Sequence, residues 1–249
     1  MGMLGDRMKI YEGVESARKF ISMLPIMIRL DGKCFSNWTR NLHKPYDLRM
    51  ISLMTEVTKK LVAETNAVIG YTQSDEISLV LYSDDYTKQV YFDGKIQKIV
   101  SVTASIATYW FNTLATRFFD EDNTNNPAYF DSRAWTLPNK LEVVNCILWR
   151  EMDATRNSIN GAAQSLYSHS ELHGVTVAEC MDMLIEKGIN WNDYPTCFKR
   201  GVYIKRKKGT GPENRGSINV LDIPPMISID NKVGVIFDGE SPILCSGST

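Results

Sequence analysis

The apolar positions change period along the chain, and each change marks an element. Residues 8–22 carry Ile10, Val14, Ala17, Phe20 and Ile21 at helical spacing. After Pro25, the run Ile26-Met27-Ile28-Arg29-Leu30 is short and predicts a buried strand, stopped by Asp31-Gly32. Residues 33–46 have the composition of a loop. Asp47 is placed to cap a helix over 48–64, with Ile51, Met54, Val57 and Leu61 among its apolar positions. Two strands follow back to back, Ala67 to Thr72 and Ile77 to Tyr82. The polar turn Gln73-Ser74-Asp75-Glu76 joins them as a hairpin. Ile99, Val102, Ile106, Trp110 and Leu114 predict a long helix over 95–119. Asp120 to Asn126 ends it, and residues 128–136 form another strand.

Strand, helix, strand, strand, helix, strand is the ferredoxin-like βαββαβ order of many nucleotide-handling palm domains, an α+β class. Beyond it the pattern is mainly helical to about residue 187. Lys199 to Lys207 and Ser217 to Asp222 then predict a β-hairpin, whose loop holds Gly209-Thr210-Gly211 and Gly216. A boundary near residue 138 divides a palm-like catalytic part, 1–138, from a helical appendage with the C-terminal hairpin, 139–249. The two parts are expected to share one core.

Composition narrows the function. The chain has 28 basic and 29 acidic residues and a net charge of −1, so RNA contact must fall to a local patch. One candidate runs from Lys199 to Lys208, with Lys199, Arg200, Lys205, Arg206, Lys207 and Lys208 and no acidic residue. Five widely spaced cysteines without a Cys-x-x-Cys pair fit reduced thiols in a cytoplasmic protein. No signal-peptide pattern opens the chain, and no apolar run nears the roughly 20 residues of a membrane helix, so no membrane partner is expected. His169 and His173 have helical i,i+4 spacing, but Ser170 stands where a metalloprotease motif needs Glu. Trp149, Trp191 and Tyr194 are able to stack on bases, although core packing is the commoner fate of such residues.

The chemistry lies in the carboxylates. In a ferredoxin-like sheet the first and third strands are neighbours, which brings Asp31 to Asp75 and Glu76 at one sheet end. Converging carboxylates repel unless a cation lies between them, and Mg²⁺ prefers such oxygen ligands together with substrate phosphates. Two ions about 3.5–4 Å apart can clamp the attacking and leaving oxygens of a phosphoryl displacement. Gly32 has no Cβ, so its backbone carbonyl can approach a metal or a triphosphate. Any one such Asp is more often a solvated turn residue, and cyclases and ordinary polymerases share the plan.

The blocks Ile28-Arg29-Leu30-Asp31-Gly32-Lys33, Lys44-Pro45-Tyr46-Asp47 and Tyr71-Thr72-Gln73-Ser74-Asp75-Glu76-Ile77-Ser78 resemble those of tRNA(His) guanylyltransferase-like proteins. Phe130-Asp131-Ser132-Arg133, Trp149-Arg150-Glu151-Met152-Asp153 and Lys187-Gly188-Ile189-Asn190-Trp191-Asn192 continue the likeness in order, so that it runs from about residue 8 to about residue 206. The resemblance implies a nucleotidyltransferase working in the 3′–5′ direction. An RNA 5′ end is activated, and the 3′-hydroxyl of an incoming nucleotide attacks it. It implies catalytic roles for Asp31, Asp75 and Glu76, and two Mg²⁺ ions on Asp31, Gly32 and Asp75. It implies binding of ATP and GTP through Arg29, Gly32, Lys33, Ser74, Lys95 and Lys98. RNA contacts fall to Lys44, Arg150, Asn157, Lys199 and Arg200, with tRNA as partner and a homotetramer as assembly. Thr155 stands at a histidine position of the eukaryotic guanylyltransferases. That difference suits the template-dependent "-like" branch, which repairs 5′-truncated tRNAs, better than guanylylation of tRNA(His).

Overall fold

The computed structural model describes residues 2–120, 124, 126–207 and 216–246. Its strands are β1 (Ile26–Gly32), β2 (Ile69–Gln73), β3 (Glu76–Leu81), β4 (Phe130–Thr136), β5 (Val202–Arg206) and β6 (Ile218–Leu221). They form one antiparallel sheet in the order β4-β1-β3-β2-β5-β6. The helices are α1 (Gly2–Ser16), α2 (Phe35–Trp38), α3 (Leu48–Thr65), α4 (Ile96–Ala115), α5 (Lys140–Gln164), α6 (Val177–Glu186) and α7 (Thr196–Arg200). The first four strands alternate with α3 and α4 in the expected order.

The pleat sorts the strands into two faces. Ile26, Ile28 and Leu30 of β1 and Ile77, Leu79 and Leu81 of β3 pack with Leu53, Val57 and Leu61 of α3 and with Ile99, Ala107 and Phe111 of α4. Met27, Ile69, Tyr71, Val80 and Tyr203 face the other way, against Val143, Val144 and Ile147 of α5. Asp47 caps α3 by accepting from the Arg49 N–H at 2.9 Å. Its hydrogen bonds from the Arg49 side chain hold the carboxyl at a pKa of about 2. Gly70 is required by packing. A Cβ there would lie 2.8 Å from both Thr58 Cγ2 and Val62 Cγ2, so a side chain would push α3 off the sheet.

Four sequence expectations change. The first helix is Gly2–Ser16 rather than 8–22, and none of its residues is buried. The long helix ends at Ala115, because Arg117, Phe118 and Phe119 turn back to bond Leu114 and Ala115 carbonyls. The helical stretch toward 187 is broken over 165–176. There Glu171 accepts from the Ser168 backbone and hydroxyl, local bonds that compete with a helix, so His169 and His173 share no helical face. Lys199 to Lys207 is not one strand. It divides into α7 and β5 at Gly201, whose φ of 75° no strand residue adopts. Lys208 and Gly209-Thr210-Gly211-Pro212 lie outside the described residues.

Candidate active site

The site begins with strand register. On β1, Asp31 is the direct partner of Glu76 on β3 and of Asp131 on β4. Gln73 pairs with Glu76, which leaves Ser74 and Asp75 as a two-residue hairpin turn. Ser74 takes φ 50°, and its hydroxyl donates to Asp75 Oδ1 at 3.1 Å. Burial pushes the Asp75 carboxyl up, and the negative charge of Asp31 adds to the shift. Arg133 Nη2 lies 3.8 Å from Asp31, and Arg133 Nε lies 3.4 Å from Asp131. Gly32 follows at close quarters. A Cβ on it would stand 2.2 Å from Phe35 Cδ2, and that ring is fixed by Phe111 and Phe130 at centroid distances of 5.2 Å.

These residues fit a hard cation. Two oxygen-donor side chains repel across a partly buried space, and the Gly32 backbone directly follows Asp31. Among the described residues no group of three or more His, Cys, Asp or Glu side chains is arranged to hold a metal. An ion here would therefore draw on two carboxylates, backbone oxygen and the ligand's own phosphates.

Glu76 is committed elsewhere. Arg150 Nε and Nη2 donate to its two oxygens, both at 2.7 Å, and Arg150 Nη2 also donates to Asp153 at 3.0 Å. The Arg150 side chain is only 7% exposed. This corrects the expectation of an RNA contact, since a buried guanidinium bound to two carboxylates has no reach to a phosphate. Arg29 is mostly buried as well. Its Nε lies 3.7 Å from Glu76, and its guanidinium lies between the rings of Trp135 and Trp149 at 5.5 and 4.9 Å. That Nε is buried without a hydrogen-bond acceptor. Glu76 is the carboxylate that its guanidinium faces. Hydrophobic periodicity had no means of signalling this ion-pair cluster, because Arg150 and Glu76 lie far apart in the chain.

Other expected residues separate into two groups. Lys44, Ser74 and Asn157 meet, lining with Asp47, Met50 and Phe198 a cavity of about 260 Å³ beside the hairpin turn. Lys33 is exposed just after β1, its N–H held by the Tyr129 carbonyl at 2.8 Å. Lys95 and Lys98 do not join them within one copy of the chain. Thr108 of α4 accepts from Phe130 N, and Asn112 bonds the Ala128 carbonyl, so the C-terminal half of α4 lies at the Gly32 end of the sheet. The start of α4 is then roughly 20 Å away, at the Ile26 end. There Lys98 Nζ sits 4.8 Å over Phe92, and a larger cavity of about 830 Å³ opens, remote from the carboxylates.

The basic run is not a continuous patch either. Lys199 donates to the Asn192 carbonyl at 2.5 Å, and Arg200 lies 3.7 Å from Glu151. Lys205 donates to the Val235 and Ile236 carbonyls, and Arg206 to that of Ala63. These four charges are spent on the chain itself, because the strand pleat and the helix turn point them in different directions.

Residues 5–138 match the family profile Thg1, described as tRNAHis guanylyltransferase. A protein of Acanthamoeba polyphaga mimivirus is 31% identical over 82% of this chain and 77% of its own. The tRNA(His) guanylyltransferase of Schizosaccharomyces pombe is 30% identical over 78% of this chain and 80% of its own. A solved bacterial tRNA(His) guanylyltransferase-like protein in complex with ATP superposes with a TM-score of 0.78. It is 37% identical and covers 87% of this chain and 91% of that one. The register that seats Asp31 opposite Glu76 therefore sits in a shared fold, and the chain is a nucleotidyltransferase belonging to the tRNA(His) guanylyltransferase family.

Proposed function

We propose that this chain adds nucleotides to the 5′ end of a tRNA, in the 3′–5′ direction, using the Asp31–Asp75 end of the sheet. The observation that carries this reading is the strand register that sets Asp31 opposite Glu76, beside the Ser74-Asp75 turn, in a fold shared with the family. The strand order β4-β1-β3-β2 with α3 and α4 on one face is read as a ferredoxin-like palm, residues 1–138. Residues 139–249 are read as its helical appendage and hairpin.

Asp31, Asp75 and the Gly32 carbonyl are the groups that would hold Mg²⁺, which neutralises phosphate charge when bound. The protein's own part is positioning. The paired strands hold the two carboxylates at one sheet end, and the Ser74 hydroxyl steadies Asp75. Arg150 clamps Glu76 and so fixes the strand on which the catalytic turn is built. ATP and GTP suit the 260 Å³ cavity beside that turn, where Lys44 and Ser74 supply polar contacts. Neighbours of this fold are described in complex with ATP and with GTP. Thr155 favours repair of truncated tRNA over guanylylation of tRNA(His). A homotetramer is the assembly that the family likeness suggests, and five cysteines without a disulfide suit reduced thiols in the cytoplasm. Among the described residues no helix is long and apolar enough to cross a membrane.

The test is incubation with end-labelled, 5′-truncated tRNA, Mg²⁺, ATP and each nucleoside triphosphate in turn. Growth at the 5′ end is expected. Growth at the 3′ end, or release of a cyclic nucleotide, would instead support the conventional polymerase or the cyclase.

A further inference from the structure

Trp149 is out of place for its type. It lies on α5, yet 53% of its surface is open to solvent. Two guanidinium groups hold the ring, Arg150 at 4.6 Å and Arg29 at 4.9 Å from its centroid. Both cations are themselves anchored on Glu76. The indole is thus exposed but immobilised, so stacking on it costs little ordering entropy.

Its location supplies the occupant. Arg29, which touches the ring, precedes Asp31 by two residues on the same strand face, a separation of roughly 7 Å. The ring therefore stands beside the Asp31 end of β1. Arg133, 61% exposed and paired across β1 with Arg29, brings a cation to the same side. A half-exposed indole, a nearby guanidinium and the Asp31 end of the same strand form the combination that single nucleic-acid ends require.

We propose that Trp149 is the stacking platform for the terminal base at the RNA 5′ end, holding that nucleotide beside Asp31 for reaction. This rests on the reading that the chain acts on an RNA 5′ end. Trp149 binds through the face of a base and so tolerates any base. Arg29 and Arg150 act through it by keeping the ring in place.

Binding of the full chain to a 5′-truncated tRNA is measured by fluorescence anisotropy, without nucleoside triphosphate. It is compared with the same RNA carrying an abasic 5′-terminal nucleotide. The wild type is expected to bind the intact RNA roughly tenfold more tightly, the size of one stacked base. Trp149→Ala is expected to bind both RNAs alike, at the wild-type level for the abasic one, and Trp149→Phe to keep most of the preference. An unfolding midpoint for each variant separates this from loss of fold. Three results would overturn the proposal: no preference in the wild type, an undiminished preference in Trp149→Ala, or a change of oligomeric state in that variant with the preference intact. A wild type that shows the preference but extends the RNA at its 3′ end would refute the proposed direction of addition and leave the stacking role standing.

Discussion

The two faces of the sheet are made from the same strands and obey opposite rules. On the face toward α3 and α4, Ile28, Leu30, Ile77 and Leu79 are fully buried in a dry apolar layer. On the face toward α5 the alternate residues of those strands begin apolar, with Met27 and Val80. They then become Arg29, Ser78, Glu76 and Asp31 as the strands approach the hairpin turn. Alternation lets one strand carry both sets without conflict. The dry face makes the sheet stable, and it holds the strand ends rigid enough for like charges to be kept close on the other face. The charged face is satisfied by small clusters of ion pairs and hydrogen bonds. Arg150 closes on Glu76, Tyr203 Oη donates to Glu151 at 2.5 Å, and the Met226 N–H donates to Glu151 at 3.0 Å. Asp31 has the exposed Arg133 near it at 3.8 Å, and the Asp31–Asp75 pair is the part that the proposed ion would complete.

The sharpest way to separate the faces is to remove that pair. Asp31→Ala or Asp75→Ala is expected to lower 5′ nucleotide addition by at least about a thousandfold, as loss of a preorganised charge-stabilising group does. Circular dichroism should stay unchanged, and a variant with normal activity would break the assignment. Arg150→Ala tests that cluster. It removes the two close hydrogen bonds to buried Glu76, leaving only the more distant Arg29, and should destabilise the protein by about 3–5 kcal/mol in denaturant unfolding. Replacing Arg150 and Glu76 together by apolar residues of similar size should cost much less, and equal costs would show that the pair is not coupled.

On the dry face, Leu79→Ala should cost about 2–5 kcal/mol, set by transfer and cavity terms. Activity per folded molecule should be unaffected, because that side chain points away from the carboxylates. A loss of turnover larger than the loss of folded protein would mean that the two faces are not independent. The smallest effect concerns pH. The folded pKa of Asp75 lies above its unfolded value, so this group penalises the folded state once both forms are ionised. The penalty is absent well below the unfolded value of 3.8, grows as pH rises from there, and is complete above the folded value. Asp75→Asn should therefore melt higher than the wild type at pH 7, and the gap should close toward pH 4. Added Mg²⁺ should narrow the gap at pH 7 by stabilising the wild type alone. A gap that persists below the carboxylate range would show that charge is not its cause.

Legibility followed the range of the forces involved. The β1 strand, the hairpin and the Asp47 cap are local, set by alternation, turn residues and one side-chain bond, and they appear within two residues of their expected places. The first helix lies elsewhere than its spacing predicts because none of its residues is buried, so no core contact bounds it. Arg150 read as an RNA contact because a surface arginine and a buried one look alike in sequence. Its burial depends on Glu76, 74 residues away. The basic run read as a patch because charge was counted without direction.

By itself the sequence determined the periods, the caps and the turns, hence the strand and helix order, and through its motifs the family. Those are properties of neighbouring residues, which the backbone expresses wherever the segment goes. Only the tertiary structure decided which charges converge. It set Asp31 opposite Glu76 and beside Asp131, closed Arg150 over Glu76, and sent Lys95 and Lys98 to the far end of the sheet. Convergence depends on strand register and on the direction each helix runs. Both are settled by how the whole core packs, where a shift of a single residue would turn every carboxylate to the dry face.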